Sequence, residues 1–350
     1  MEIVAEIGIN HDGDLERAKT LISLARDAGA DTVKFQLYSV NELLNNKAVS
    51  AAPYQAKALG EYNQNDFLKK CQFGRDEVSQ LKEFSDNVGI SFLCTAYSIT
   101  DMHTLAELGE RRVKLPSICI YEPQSIALAL SIFDQVIIST GFSTTSDLER
   151  LRDTGNFLEI NWGRLTICHC VSAYPTELGE VNLAQLLTIR EIFPEATMGV
   201  SDHTPSNLVA VMAYSQGVKF CEKHFTDDKN RSGADHAMSL DPAEFSQFSH
   251  SIRDATLIWG HRRKIERTHS EQANFLVMSR SPHVKKPFVR GDSLALADIA
   301  FSRPNVGVTG LDLGPPPYVL RRDVNAGEII RPEDLQSLLD TNNRSPIERL

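Results

Sequence analysis

The sequence predicts an α/β chain: a (β/α)8 TIM barrel followed by a small β-rich domain. Three observations carry this. Up to about Gly260, short apolar runs alternate with amphipathic helical patterns. Polar residues cluster at or just past the C-terminal ends of those runs, where a barrel of parallel strands collects its chemistry. After the charged stretch His261-Arg262-Arg263-Lys264 the alternation stops and short extended runs with turn residues take over. A length of 350 residues exceeds one ordinary domain and suits such a barrel with an appendage.

The expected strands are Ile3 to Ile9, Thr32 to Gln36, Ser91 to Thr95, Arg112 to Leu115, Gln135 to Ser139, Leu165 to Cys170, Thr197 to Ser201 and Val218 to Glu222. Between the first two, Leu15 to Ala28 repeats apolar residues at Leu15, Ala18, Ile22 and Ala25 behind an Asp14 cap, which predicts a helix. Lys34, Thr95, Lys114, Ser139, His169, Ser201 and Glu222 fall late in their strands, so one pocket can collect most of them; Glu6 is the exception, placed mid-strand. The expected barrel covers 1–262, a linker 263–278 and the β-rich domain 279–340, with a frayed tail over 341–350. Within that last domain two phrases resemble each other, Val289-Arg290-Gly291-Asp292 and Val324-Asn325-Ala326-Gly327-Glu328, and Gly314-Pro315-Pro316-Pro317 reads as a loop.

Composition narrows the function. With 42% hydrophobic and 23% charged residues the chain can bury a full core. A net charge of -10 and a pI near 5.5 argue against a nucleic-acid partner, while leaving room for a local basic pocket for a small anion. No stretch approaches the ~20 apolar residues of a membrane span, and no leader-like segment precedes Ile3-Val4-Ala5. The six cysteines fall mostly in strand-like runs, as reduced, buried thiols do, so the expected location is cytoplasmic.

Two histidines stand just past consecutive strands, His203 in Ser201-Asp202-His203-Thr204 and His224 in Glu222-Lys223-His224-Phe225. Neighbouring strands lie about 4.8 Å apart, so side chains at matching heights can hold one divalent ion between them. Either histidine alone reads more simply as a hydrogen-bonded core residue; matched positions on adjacent strands favour a metal, Mn²⁺ or Mg²⁺ over zinc, since oxygen donors and water would complete the site. Lys34 and Lys114 at apolar strand ends need an anion, because a buried ammonium is costly without one. Glu6 in an apolar strand is equally costly unless it pairs with a lysine. In Cys168-His169-Cys170, strand alternation sends the cysteines one way and the histidine the other, which argues against a shared ion.

Long motifs then occur in order: Ala5-Glu6-Ile7-Gly8-Ile9-Asn10-His11-Asp12-Gly13, Val33-Lys34-Phe35-Gln36, Ser139-Thr140-Gly141, His169-Cys170-Val171-Ser172-Ala173-Tyr174-Pro175-Thr176, Ser201-Asp202-His203-Thr204 and Glu222-Lys223-His224-Phe225-Thr226. Together they resemble the sialic acid (N-acetylneuraminate) synthase family. Ser302-Arg303-Pro304 with Ala326-Gly327-Glu328 resembles that family's C-terminal antifreeze-like (SAF) domain.

The resemblance implies an enzyme that condenses phosphoenolpyruvate with an aldose, N-acetylmannosamine or a relative, to a 2-keto-3-deoxy sugar acid with release of phosphate. It implies that Lys34 and Lys114, with Thr95, Ser117, Ser139, Ser172 and Ser201, hold phosphoenolpyruvate. An ion on His203 and His224 would bind and polarise the acceptor aldehyde, with Glu6 in the pocket beside it. Gln36, Tyr174 and Asp235 match positions that contact the acceptor, Asp235 lying in an expected flexible loop, Ser232-Gly233-Ala234-Asp235-His236. A domain-swapped homodimer is also implied, in which Arg303 of one subunit reaches the pocket of the other.

One segment departs from the pattern. Where the family carries Ser-Gly-Glu after strand four, this chain has Ser117-Ile118-Cys119, and a thiol of pKa about 8.5 is no substitute for a carboxylate. Cys119 in that carboxylate's place, with Ile118, predicts a more apolar acceptor pocket; Glu122 is near in sequence but needs another backbone path. The departure keeps open two alternatives, the same chemistry on a non-sialic aldehyde and a non-catalytic sugar-binding homologue.

Overall fold

The computed structural model describes residues 1–44, 64–260 and 266–337. The chain divides into two compact units, Met1–Gly260 and His261–Leu350.

In the first unit eight parallel strands close into a barrel: β1 (Glu2–Gly8), β2 (Thr32–Leu37), β3 (Ser91–Ala96), β4 (Arg112–Leu115), β5 (Gln135–Ser139), β6 (Leu165–Cys170), β7 (Thr197–Asp202) and β8 (Phe220–His224). These runs are buried almost throughout because both faces are covered, one by the barrel interior and the other by helices. Val4, Leu93, Ile137, Cys168 and Phe220 fill the interior, and a larger apolar shell packs outside it. The helix after β1 runs Leu15–Asp27; the Asp14 carboxylate caps it by accepting from the Glu16 and Arg17 amides, and Ala18, Leu21, Ile22 and Ala25 face the barrel.

Two expectations shift in a way that matters. Strand β8 starts at Phe220 rather than Val218, because the Val218 amide donates back to the Ala213 carbonyl and closes the preceding helix. The strand therefore ends on His224, which lies inside its last position rather than past it. Glu6 is not isolated at mid-strand either. A bulge between Glu6 and Gly8 shifts the β1 register, and Glu6 stands level with Lys34 on one side and His224 on the other. Gly8 makes this possible at φ 54, where a Cβ would lie 3.0 Å from Glu6 Oε1 and 3.1 Å from Gln36 Nε2.

The second unit is β-rich. β10 (Ser293–Leu294), β12 (Tyr318–Leu320) and β13 (Leu335–Ser337) form one antiparallel sheet, and β9 (Ser281–Val284) pairs with β11 (Ile299–Ser302). Val284, Phe288, Leu294, Tyr318, Leu320, Val324 and Ile330 are among the residues of its core. The two similar phrases are structural equivalents. Phe288 and Val324 exchange amide bonds of 2.9 Å, the Gly291 amide reaches the Leu320 carbonyl at 2.8 Å, and the Gly327 amide reaches the Val284 carbonyl at 2.8 Å. Both glycines adopt positive φ in the turns that this crossing pattern needs.

The expected linker is corrected in part: His269–Met278 is a helix, capped reciprocally by Thr268 and Glu271. Residues 263–265, 338–340 and the expected tail 341–350 lie outside the described residues. Among the described residues no helix is long and apolar enough to cross a membrane.

Candidate active site

The C-terminal ends of the barrel strands surround a cavity of about 330 Å³. Glu6 from β1, Lys34 and Gln36 from β2, Thr95 from β3, Lys114 from β4, Ser139 from β5 and Ser201 from β7 all line it, with Glu222 and His224 from β8. Ser117, Tyr174, His203 and Asp235 join them from the loops that follow. Ser172, expected in this pocket, lines a neighbouring cavity instead, with Thr140 and Val171; its Oγ and Ser117 Oγ both lie against Gly141, where a Cβ would clash with them. Arg303 belongs to the second unit, where it is exposed.

The floor is a network of buried charges. Lys114 Nζ donates to both Glu222 oxygens at 2.6 and 2.7 Å, and Ser201 Oγ donates to Glu222 Oε1 at 2.9 Å. Lys34 Nζ lies 3.0 Å from Glu6 Oε2, 3.4 Å from Glu222 Oε2 and 3.0 Å from Thr95 Oγ1. Gln36 Nε2 donates to Glu6 Oε1 at 2.8 Å. Burial pushes both carboxyls up, but with different outcomes. At Glu222 the ammoniums of Lys114 and Lys34 more than offset it and hold the carboxylate ionised. At Glu6 burial wins over Lys34, and the nearby Glu222 charge adds to it, so Glu6 is the carboxyl more ready to carry a proton. The Ser139 hydroxyl is buried with no hydrogen-bond partner, leaving a donor aimed into the same space.

The two histidines face each other at this end, ring centroids 5.3 Å apart, with the Tyr174 ring 4.2 Å from His203. His203 Nδ1 is bonded to the Val171 carbonyl at 2.8 Å, which fixes the tautomer and leaves Nε2 free of that task. His224 is kept neutral by burial and by His203 beside it, and its buried Nδ1 makes no hydrogen bond. A neutral imidazole with an uncommitted nitrogen suits a metal ligand. Among the described residues no group of three or more His, Cys, Asp or Glu is arranged to hold a metal, so an ion here would take two protein ligands and oxygen donors from water or substrate.

Asp235 is anchored, which corrects the expectation of a flexible loop. Asn10 Nδ2 donates to Ser239 Oγ at 2.9 Å, and Ser239 Oγ donates to the Asp235 carbonyl at 2.7 Å. The neighbouring His236 bonds to Thr226 Oγ1 at 2.7 Å. Burial raises the Asp235 carboxyl to about 6.

The reading of Cys119 is also corrected. The short 3-10 helix Ser117–Tyr121 turns Cys119 into the apolar shell, 3.8 Å from Glu122 Oε2, and it does not line the cavity. Ile118 points outward and is 44% exposed. Neither residue makes the pocket apolar. That quality comes instead from Ile9, Tyr38, Leu43, Leu44, Leu68 and Tyr97, which form one wall of the cavity and were not anticipated. Cys168 and Cys170 point inward and His169 outward to the Val181 carbonyl at 2.6 Å, as alternation predicts. All six cysteines are free and buried.

Glu222 and Cys170 also line the cavity. Glu222 was visible as a late polar residue, and its spacing of two from His224 puts both on one face of the strand. Cys170 shares the inward face of β6 with Cys168.

A closed parallel barrel whose mouth gathers two lysines, three carboxyl groups, several hydroxyls and a facing histidine pair defines an α/β-barrel protein with a buried, charged pocket. Residues 21–264 match the NeuB family, and the chain belongs to it. It is 34% identical over 312 residues to an N,N'-diacetyllegionaminic acid synthase of Legionella pneumophila, covering 87% of this chain and 86% of that protein. It is 30% identical over 251 residues to the N-acetylneuraminate-9-phosphate synthase of Homo sapiens, covering 72% of this chain and 69% of that one. A solved N-acetylneuraminic acid (sialic acid) synthetase of Leptospira borgpetersenii superposes with a TM-score of 0.65 at 29% identity, over 78% of this chain and 89% of its own.

Proposed function

We propose that this protein condenses phosphoenolpyruvate with an N-acylated aldose, forming a 2-keto-3-deoxy sugar acid of the sialic acid type and inorganic phosphate. The observation that carries the reading is the pair Lys34 and Lys114, buried at one cavity floor and ringed by Thr95, Ser117, Ser139 and Ser201. Two ammoniums and several hydroxyl donors suit a ligand with both a phosphate and a carboxylate. Ser172, which shares Gly141 with Ser117, is proposed to join them from the neighbouring cavity.

His203 and His224 would hold a divalent ion, Mn²⁺ or Mg²⁺, which when bound polarises the acceptor's aldehyde. The chain's own residues then do the rest. Gln36, Tyr174 and Asp235 orient the acceptor beside the lysine-bound phosphoenolpyruvate, so that C3 of one faces C1 of the other. Glu6, whose carboxyl burial favours in the protonated form, holds or returns a proton at its Oε atoms as water adds at C2 and phosphate leaves. The atoms balance: phosphoenolpyruvate, aldose and water give the sugar acid and phosphate. Arg303 of the second unit is proposed to reach the pocket of a second copy, and that unit to be an antifreeze-like domain, on the phrases Ser302-Arg303-Pro304 and Ala326-Gly327-Glu328.

The wall of Ile9, Leu43, Leu44, Leu68 and Tyr97 favours an acceptor that presents methyl or acetamido groups in place of hydroxyls. A hydroxyl left unpaired against such a wall costs roughly 1–3 kcal/mol. The greater identity to a synthase of a diacetylated sugar acid than to one of N-acetylneuraminate 9-phosphate supports the same preference. We therefore expect kcat/KM for a 6-deoxy-2,4-diacetamido aldohexose to exceed that for N-acetylmannosamine by about tenfold or more, read as phosphate released. Equal or better use of N-acetylmannosamine would remove the argument from the wall.

A further inference from the structure

Asp202 and Lys223 directly precede the two histidines, and they are the last paired residues of the β7–β8 ladder. Alternation turns them to the opposite side from His203 and His224, behind the cavity. There Lys223 Nζ donates to Asp202 Oδ2 at 2.7 Å, with side chains only 2% exposed on both. Lys223 also donates to the Thr204 carbonyl and, at 3.3 Å, to the Ser206 carbonyl, while Asp202 Oδ1 accepts from the Thr204 amide at 2.9 Å. The Phe248 ring lies 5.8 Å from the ammonium and closes the site from the helix layer. Together Asp202 and Lys223 thus hold the amide and the carbonyl of Thr204, the residue that follows His203.

We propose that the Asp202–Lys223 pair is a positioning clamp that sets the separation and orientation of His203 and His224. The inference rests on the reading of those histidines as ligands of a divalent ion. It goes beyond that reading by assigning the geometry to a pair that faces away from the pocket. The physical ground is specificity rather than stability. A buried ion pair is commonly no more stabilising than apolar residues of similar volume, whereas its directional hydrogen bonds allow one arrangement of the attached backbone. His203 sits one residue beyond the end of β7, where its carbonyl accepts from the Thr176 amide at 3.0 Å. The bonds from Lys223 to the backbone of Thr204 and Ser206 add a hold from the outside on the residues that follow, as the Val171 carbonyl does for the ring itself.

The test uses two variants, Lys223→Met and the double change Asp202→Asn with Lys223→Met. The double variant keeps an acceptor for the Thr204 amide and leaves no uncompensated charge, so it is the one expected to fold with a melting temperature near that of the unmodified protein. Two readouts are taken: Mn²⁺ affinity by electron paramagnetic resonance titration, and the crystal structure of the double variant. The clamp predicts Mn²⁺ affinity weaker by roughly tenfold to a hundredfold at matched stability, the usual effect of removing a group that orients a ligand. It also predicts His203 displaced relative to His224. Histidines that keep their separation and orientation in the double variant, or Mn²⁺ affinity equal to that of the unmodified protein, would overturn it. An unmodified protein that binds no Mn²⁺, together with a displaced His203 in the double variant, would remove the metal reading and leave the clamp standing.

Discussion

His224→Ala is expected to lower kcat by about 10²–10³ while leaving the fold intact, since the several kcal/mol that a bound ion contributes to charge development correspond to that many decades of rate. The side chain projects into the cavity and its Nδ1 makes no hydrogen bond, with Asp235 Oδ2 3.7 Å away, so its removal breaks no buried hydrogen bond at that atom. Mn²⁺ binding should be lost with activity, and the melting temperature should stay within a few degrees. Near-normal turnover of the variant would mean that the histidine pair serves the structure of the barrel mouth and not the reaction.

Glu222→Ala should act in the opposite way, on stability first. The carboxylate is the shared partner of Lys114, Lys34 and Ser201, all buried. Removing one partner of a buried ion pair costs about 3–5 kcal/mol, because the remaining charges have no counterion and no water. The variant should therefore melt well below the unmodified protein. Phosphoenolpyruvate should raise its melting temperature by more than it raises that of the unmodified protein, since the ligand's anionic groups replace the lost carboxylate. Thermal denaturation of both proteins with and without phosphoenolpyruvate measures this. An unchanged melting temperature would show that the lysines find other partners.

The barrel was legible in the sequence because a strand covered on both faces has a simple signature, a short apolar run. Arg112–Leu115, Gln135–Ser139 and Leu165–Cys170 were bounded without error on that basis. Strand β8 was displaced by two residues because helix closure at Val218 depends on a backbone bond to Ala213 that no residue type announces. Most of the site was legible because charged and hydroxyl residues are costly in apolar runs and so stand out, as Lys34, Lys114 and Ser201 do.

What failed to show was the direction of side chains outside the strands. Cys119 stands where the resemblance places a pocket-facing carboxylate, but the 3-10 helix that starts at Ser117 carries it into the apolar shell. The apolar wall was invisible for a related reason. Ile9 follows β1 while Leu43, Leu44 and Leu68 all lie in the connection between β2 and β3, and an apolar residue outside the strands carries no mark of what it faces. The bulge that levels Glu6 with Lys34 and His224 was hidden because it depends on Gly8 adopting positive φ within an otherwise regular strand.

The most direct measurement is inorganic phosphate release from phosphoenolpyruvate by metal-stripped protein, with a panel of N-acylated aldoses, before and after Mn²⁺ is restored. The account predicts no release without an aldose. With a suitable aldose and Mn²⁺ it predicts one phosphate per molecule of a product whose mass equals that of the aldose plus pyruvic acid, and a fall to background in the metal-stripped protein. Phosphate release that needs no aldose, or turnover that continues undiminished after the metal is removed, would contradict it.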